Sequence, residues 1–200
     1  AGDAPGRAEA GGPGAKAART GGLWSRPAFY QMLALAFTFN FANMAQLQLL
    51  VQHAAAMHPQ IAIPYTCAAQ LIAHLGMTVS SYVVAALTDR HGRKPLLVLA
   101  CFVVAVRALL TALTERFWIS QGGSPWLGLL PCQVLDGVGA GFWGILLVLV
   151  TQDVSAGTGR FNLALGCMQA SFSAGAIASS LVSGALAEAY GFGAAFALLA

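Results

Sequence analysis

Charge is what this sequence has least of. Only 8% of its 200 residues are Asp, Glu, Lys or Arg, and the stretch from Pro27 to Thr88 contains none. Soluble domains carry about 25% charged residues, so the composition excludes an ordinary soluble domain. With 58% apolar residues and a mean hydropathy of +0.70, lipid is the expected solvent for most of the chain.

The sequence also lacks the patterns of metal sites, disulfide frameworks and common enzymes. It contains no CxxC pair, HExxH, GxSxG, P-loop or nucleotide fingerprint. We therefore expect no enzyme, no cofactor, no metal and no nucleic-acid partner. The cysteines all fall in apolar runs and are predicted to be small buried side chains. They are Cys67, Cys101, Cys132 and Cys167.

Long apolar runs predict an all-α, multi-pass membrane protein. A helix needs about 20 apolar residues to span a bilayer, and the runs are too continuous for a barrel. The predicted helices cover about residues 28–57, 65–88, 95–113, 125–152, 161–187 and 192–200. We expect the last to be truncated and the chain to be a fragment of a longer protein. Residues 1–27, rich in Gly, Ala and Pro, predict a flexible tail or linker.

One polar cluster between two apolar runs indicates the orientation of the chain. It reads Asp89-Arg90-His91-Gly92-Arg93-Lys94. If residues 1–27 and this turn are cytoplasmic, eight basic residues lie on that side and one, Arg116, lies outside. The eight are Arg7, Lys16, Arg19, Arg26, Arg90, Arg93, Lys94 and Arg160. This bias predicts a cytoplasmic tail and a cytoplasmic 89–94 loop.

The cluster and its flanks, Leu87 to Leu97, resemble the signature loop of the major facilitator superfamily. That loop joins the second and third helices of each six-helix half on the cytoplasmic side. The Asp, both Arg, Gly, Lys and closing Leu positions match, whereas Ala85 replaces the leading glycine. Leu135 to Gly141 resembles the family's glycine-rich fourth-helix motif. The resemblance covers about residues 28–200.

Two departures make the chain resemble the C-terminal half of such a transporter. Gln133 stands where the N-terminal half usually has Arg, and the fifth helix lacks the Gly-Pro pair of the antiporter motif. Thr158 to Ala164 resembles that half of bacterial efflux-type permeases. The resemblance implies that residues 1–27 form the central linker and that the missing N-terminal half is a partner.

The resemblance also implies a gate at the polar cluster. In the family, the corresponding Asp and second Arg form a charge relay with an acid ending the fourth helix, which implies Asp89, Arg93 and Asp153 here. The relay is expected to latch the inner gate in the outward-facing state. Exposed charges that only fix topology are the alternative. The other signature residues assigned to the gate are Arg90, Gly92 and Lys94.

Arg107 and Asp136 are charged residues inside predicted spans, where each costs about 2.5–3.5 kcal/mol to insert. Counting ~1.5 Å per residue from the helix ends places them at similar depth, so antiparallel neighbours could pair them. Two interpretations remain: the pair is a structural ion pair, or it forms a site for a solute or a coupling ion. Asp136 is the strongest candidate for carrying H+.

Uncharged polar residues within the spans are the remaining candidates for a solute or ion-coupling site. They are Asn40, Asn43, Gln46, His74 and Gln169. Such residues usually face a bundle interior or a cavity, and in the family the first and fourth helices of each half line the solute cavity. Hydrogen bonds between helices, without solute contact, are the alternative.

Small residues at four-residue spacing predict close helix packing in the fourth and fifth helices. Glycines that let helices slide during a conformational change are the alternative. The glycines assigned to packing are Gly137, Gly141, Gly144, Gly175 and Gly184.

Together these features predict a gradient-driven transporter of a small-molecule solute, working by alternating access in a lipid bilayer. The sequence shows no ATP site, so the work would come from an ion or substrate gradient, with H+ as the candidate ion. A non-transporting scaffold or receptor-like protein on the same fold is one alternative. An intramembrane enzyme is another, although no catalytic dyad lies at membrane depth.

Overall fold

A computed structural model describes residues 22–57 and 59–199 as helices joined by short turns. No strand occurs in these two ranges, so the all-α prediction is confirmed for the described chain. Short 3-10 segments precede α1 and lie between α1 and α2 and between α3 and α4. The helices are α1 (Pro27–Met57), α2 (Ala62–His91), α3 (Arg93–Phe117), α4 (Pro125–Ser155), α5 (Phe161–Tyr190) and α6 (Phe192–Leu199).

Five of these helices, α1 to α5, are long and apolar enough to cross a membrane. The described part of α6 has eight residues. The chain is therefore an integral, multi-pass membrane protein, as the sequence predicts. The predicted tail falls mostly on residues 1–21, which lie outside the described residues.

The helices associate in pairs, with α4 packed along α2 and α3 and α1 packed along α5. Apolar side chains from α1 to α5 form the larger core, which includes Phe29, Leu146 and Met168. A smaller core lies where α1 and α3 end and α2 and α6 begin, around Leu49 and Tyr65. This arrangement brings α1, α2, α4 and α5 together around one cavity described below.

The predicted polar turn between α2 and α3 is shorter in the structure than in the sequence analysis. α2 continues to His91 and α3 begins at Arg93, so only Gly92 lies between them. Gly92 adopts a φ of 79°, which residues with a Cβ rarely adopt. The chain therefore reverses within one residue, and the charges of the cluster belong to two helix ends.

Three of the predicted packing glycines lie where helix backbones nearly touch. A Cβ added at Gly137 or Gly141 of α4 would collide with α2, and one added at Gly175 of α5 would collide with the carbonyl oxygen of Phe37. A Cβ at Gly144 or Gly184 meets no atom within 4 Å. These two glycines therefore make no close helix contact in the described chain, because the space where a Cβ would lie is open.

The cysteines are less buried than the sequence predicts. Cys132 is buried, Cys101 and Cys167 are partly buried, and Cys67 is exposed. Cys67 therefore lies on a side of α2 that no described helix covers. The prediction of a buried side chain is therefore wrong for Cys67.

Candidate functional site

A charged cluster joins three helices near the middle of the bundle. Arg107 of α3 forms an ion pair with Asp136 of α4, with 2.9 Å between Nη1 and Oδ1. The same Nη1 donates a hydrogen bond to the side-chain oxygen of Asn43 in α1. The Arg107 side chain is only 1% exposed and that of Asp136 is 13% exposed. The two opposite charges therefore lie together inside the protein.

The cluster cancels its charges but does not satisfy every polar atom. The Arg107 Nε has no hydrogen-bond partner among the described residues. Thr111, one turn further along α3, donates to the Arg107 backbone carbonyl at 2.9 Å. Asn43 and Asp136 thus hold one end of a guanidinium that has five donor positions.

A cavity of about 210 Å³ lies beside this cluster, between α1, α2, α4 and α5. It reaches the charged cluster through Asn43, which belongs to both. Polar side chains contribute little of its wall, and aromatic and aliphatic ones contribute most. Its lining residues are Phe39, Asn43, Met77, Ala140, Trp143, Gly144, Leu147, Gln169 and Phe172.

The other predicted site residues lie elsewhere or bond within the bundle. Asn40 is buried and donates to the Phe172 carbonyl of α5 at 2.7 Å. Gln46 donates to Ala42 of its own helix at 3.1 Å. His74 is exposed, and its Nδ1 lies 2.8 Å from the Gln70 carbonyl one turn earlier. Of the five uncharged polar residues predicted for the site, only Asn43 and Gln169 line the cavity.

At the end of the bundle that carries the polar cluster, two arginines contact the end of α4. Arg93 forms an ion pair with Asp153 and also donates to the Leu149 carbonyl at 2.6 Å. Arg26 donates to the Val154 carbonyl at 2.6 Å. Cations are favourable at a helix C-terminus, where carbonyls lack partners. The contacts link the starts of α1 and α3 to the end of α4.

The remaining residues assigned to the gate do not join this contact. Asp89, Arg90 and Lys94 are exposed and form no ion pair among the described residues. The structure thus contains the Arg93–Asp153 part of the expected relay and not its Asp89 part.

Sequence reasoning missed a buried pair at the opposite end of the bundle. His53 of α1 and Glu115 of α3 lie with 3.3 Å between Nε2 and Oε1, and both side chains are 10% exposed. The His53 ring meets the Phe192 ring of α6 edge to face, with 4.9 Å between centroids. The missed signal was the length of α3, which was predicted to end at Leu113 and runs to Phe117.

Comparisons with known proteins agree with this helical arrangement. Residues 28–200 match the Major Facilitator Superfamily. Two curated relatives are each 37% identical over 169 residues, which are 82% of this chain and 37% of the relative. Both are uncharacterized MFS-type transporters of Mycobacterium tuberculosis, from strains CDC 1551 / Oshkosh and ATCC 25618 / H37Rv. No solved structure matches the chain significantly.

Proposed function

The chain belongs to the major facilitator superfamily, and we propose from this that it is one six-helix half of a secondary active transporter. The transporter would move a small solute by alternating access. One observation carries the proposal, namely the cavity that α1, α2, α4 and α5 enclose beside the Arg107–Asp136 pair. Transporter sites of this type lie near the bilayer midplane between structural repeats.

The second half of the site would come from the rest of the protein. The chain spans 37% of the length of its curated relatives. We propose that it is the C-terminal half, a reading supported by Gln133 where the N-terminal half usually has Arg. In this arrangement the cavity opens toward the other half, which would supply the opposing wall.

The Arg93–Asp153 pair suits a gate that must open repeatedly. Its side chains are 30% and 59% exposed. Exposed ion pairs stabilise a structure by about 0–1 kcal/mol, so this one can break at little cost during each cycle. The pair would latch the end of α4 to the start of α3 in the outward-facing state, and Asp89 would complete the relay in that state.

The transport proposal is tested in vesicles that contain the whole transporter. Proteoliposomes are incubated with a mixture of small organic solutes, with and without an imposed pH gradient, and the accumulated solutes are quantified by mass spectrometry. We expect at least one solute to accumulate above equilibrium when the gradient is present. Protein-free liposomes report passive leak, and a scaffold or receptor-like protein would accumulate no more than they do.

The gate is tested by removing its charges one at a time. Asp153→Asn removes the ion-pair partner of Arg93, and Asp89→Asn removes the expected third member of the relay. We expect each variant to reduce the initial transport rate several-fold while insertion stays unchanged. Each variant should lower the free energy of unfolding by less than about 1 kcal/mol.

The matched control for the gate is Arg160→Gln, which removes a charge between α4 and α5. The Arg160 side chain is exposed and forms no ion pair among the described residues. If Asp89→Asn and Asp153→Asn transport as well as Arg160→Gln, the charges only set topology and the gate proposal is wrong.

A further inference from the structure

Three aromatic rings at the wall of the cavity lie almost parallel. The Phe39 and Trp143 rings have centroids 4.0 Å apart and planes 12° apart. The Trp143 and Phe172 rings have centroids 6.2 Å apart and planes 15° apart. Aromatic rings prefer offset stacking, which adds to the stabilisation from buried area. Phe39 and Trp143 are nearly fully buried, whereas Phe172 is only partly buried and can extend the stack to a bound flat ring.

The same wall offers a hydrogen-bond donor that the protein does not use. The Asn43 oxygen already accepts from Arg107, so the amide NH₂ is what Asn43 has left to offer. Asn43 is only partly buried and lines the cavity, whereas the Trp143 Nε1 is fully covered by protein. An acceptor on a bound solute would give the Asn43 amide the partner that it lacks.

Charge and size limit the occupant further. None of the nine lining residues is ionisable, and the neighbouring Arg107 and Asp136 neutralise each other. A cavity of ~150 Å³ can hold benzene, so about 210 Å³ suits one ring with a small substituent. A charged group placed here would meet no countercharge on the lining.

We propose that this cavity binds the uncharged aromatic ring of a solute that carries a hydrogen-bond acceptor, such as a carbonyl oxygen. This proposal rests on the transport function above and names its substrate class. The ring stacks on Phe172, and the acceptor receives a hydrogen bond from the Asn43 amide.

Two glycines provide a matched test of occupancy. A Cβ added at Gly144 meets no atom within 4 Å, and Gly144 lines the cavity. The Cβ of Gly144→Leu therefore enters open space, and we expect the rest of the leucine side chain to occupy cavity volume. Gly184 of α5 has the same open surroundings and does not line the cavity. Gly184→Leu is the control for the added side chain.

The experiment measures binding to the whole transporter in lipid nanodiscs by calorimetry, and empty nanodiscs correct for partitioning. The probes are acetophenone, ethylbenzene without the acceptor, and 1-cyclohexylethanone without the aromatic ring. We expect acetophenone to bind about two- to tenfold more tightly than either of the others. Gly144→Leu should abolish this binding, whereas Gly184→Leu should retain it.

The donor is tested with Asn43→Leu, which keeps a side chain of similar size and removes the amide. Acetophenone should bind about two- to tenfold more weakly, and ethylbenzene should bind as before. Equal binding of the three probes, or unchanged acetophenone binding in Gly144→Leu, overturns the proposal. The binding assay applies no gradient, so its result does not depend on transport. If the protein binds acetophenone but transports no solute, only the transport function is refuted. A working transporter without this binding refutes only the substrate class.

Discussion

Replacing Asp136 with Asn is expected to destabilise the protein by about 3–5 kcal/mol and to abolish transport. The substitution leaves the Arg107 guanidinium, which is 1% exposed, without its countercharge. Breaking a buried ion pair by removing one partner carries this cost because the other charge stays buried. Asn43 cannot replace the carboxylate, since its neutral oxygen already accepts from Arg107. Thermal unfolding of the purified transporter in detergent measures the loss.

The matched control for this prediction is Asp153→Asn on the same helix. It makes the same chemical change, but the Asp153 side chain is 59% exposed, so the loss should stay below about 1 kcal/mol. Equal unfolding temperatures for the two variants would show that the Arg107–Asp136 contact does not stabilise the fold.

A double substitution separates the structural role of the pair from a transport role. Arg107→Met with Asp136→Leu removes both charges, and apolar replacement of a buried pair is often neutral or stabilising. Stability should therefore return. The charge swap, Arg107→Asp with Asp136→Arg, restores transport if the pair only holds α3 to α4. A stable swapped protein that does not transport places solute or ion coupling at Asp136.

The Arg107–Asp136 contact could be expected from the sequence because the two charges lie at similar depth in neighbouring helices. α3 and α4 are consecutive and antiparallel, so counting residues from their shared end predicts which charges lie at one level. The third member, Asn43, was not predictable as their partner. Its contact depends on how α1 is rotated about its axis, and a sequence with polar residues on several sides of α1 does not fix that rotation.

Rotation also explains why Asn40 and Asn43 have different roles. Their three-residue spacing suggests one shared face, yet Asn40 bonds to the α5 backbone and Asn43 lines the cavity. Asn40 therefore faces α5, whereas Asn43 faces the cavity. The stacking of the rings could not be predicted from the sequence, because Phe39, Trp143 and Phe172 are ordinary apolar residues in apolar runs.

The second large effect is expected for Gly137→Ala, which adds one methyl group where α4 crosses α2. The new Cβ would overlap the Ala73 carbonyl oxygen and would lie 2.8 Å from the Met77 nitrogen and 2.9 Å from the Gly76 Cα. Overpacking costs about 1–3 kcal/mol when side chains can move. Here the obstacles are backbone atoms, so we expect a loss of at least ~3 kcal/mol and less folded protein. Thermal unfolding and the yield of monodisperse protein check this.

Two further glycines of α4 turn this prediction into a graded series. At Gly139 the nearest atom is a side-chain methyl carbon, Val104 Cγ2, at 3.0 Å, and at Gly144 a Cβ meets nothing within 4 Å. Alanine is a better helix former than glycine by about 1 kcal/mol, so Gly144→Ala should be neutral or stabilising. Gly139→Ala should fall between the two. If the three variants change stability equally, close contact with neighbouring helices does not explain these glycines. If the loss decreases in the order Gly137, Gly139, Gly144, then Gly137 lets α4 approach α2 closely, and Gly139 lets it approach α3.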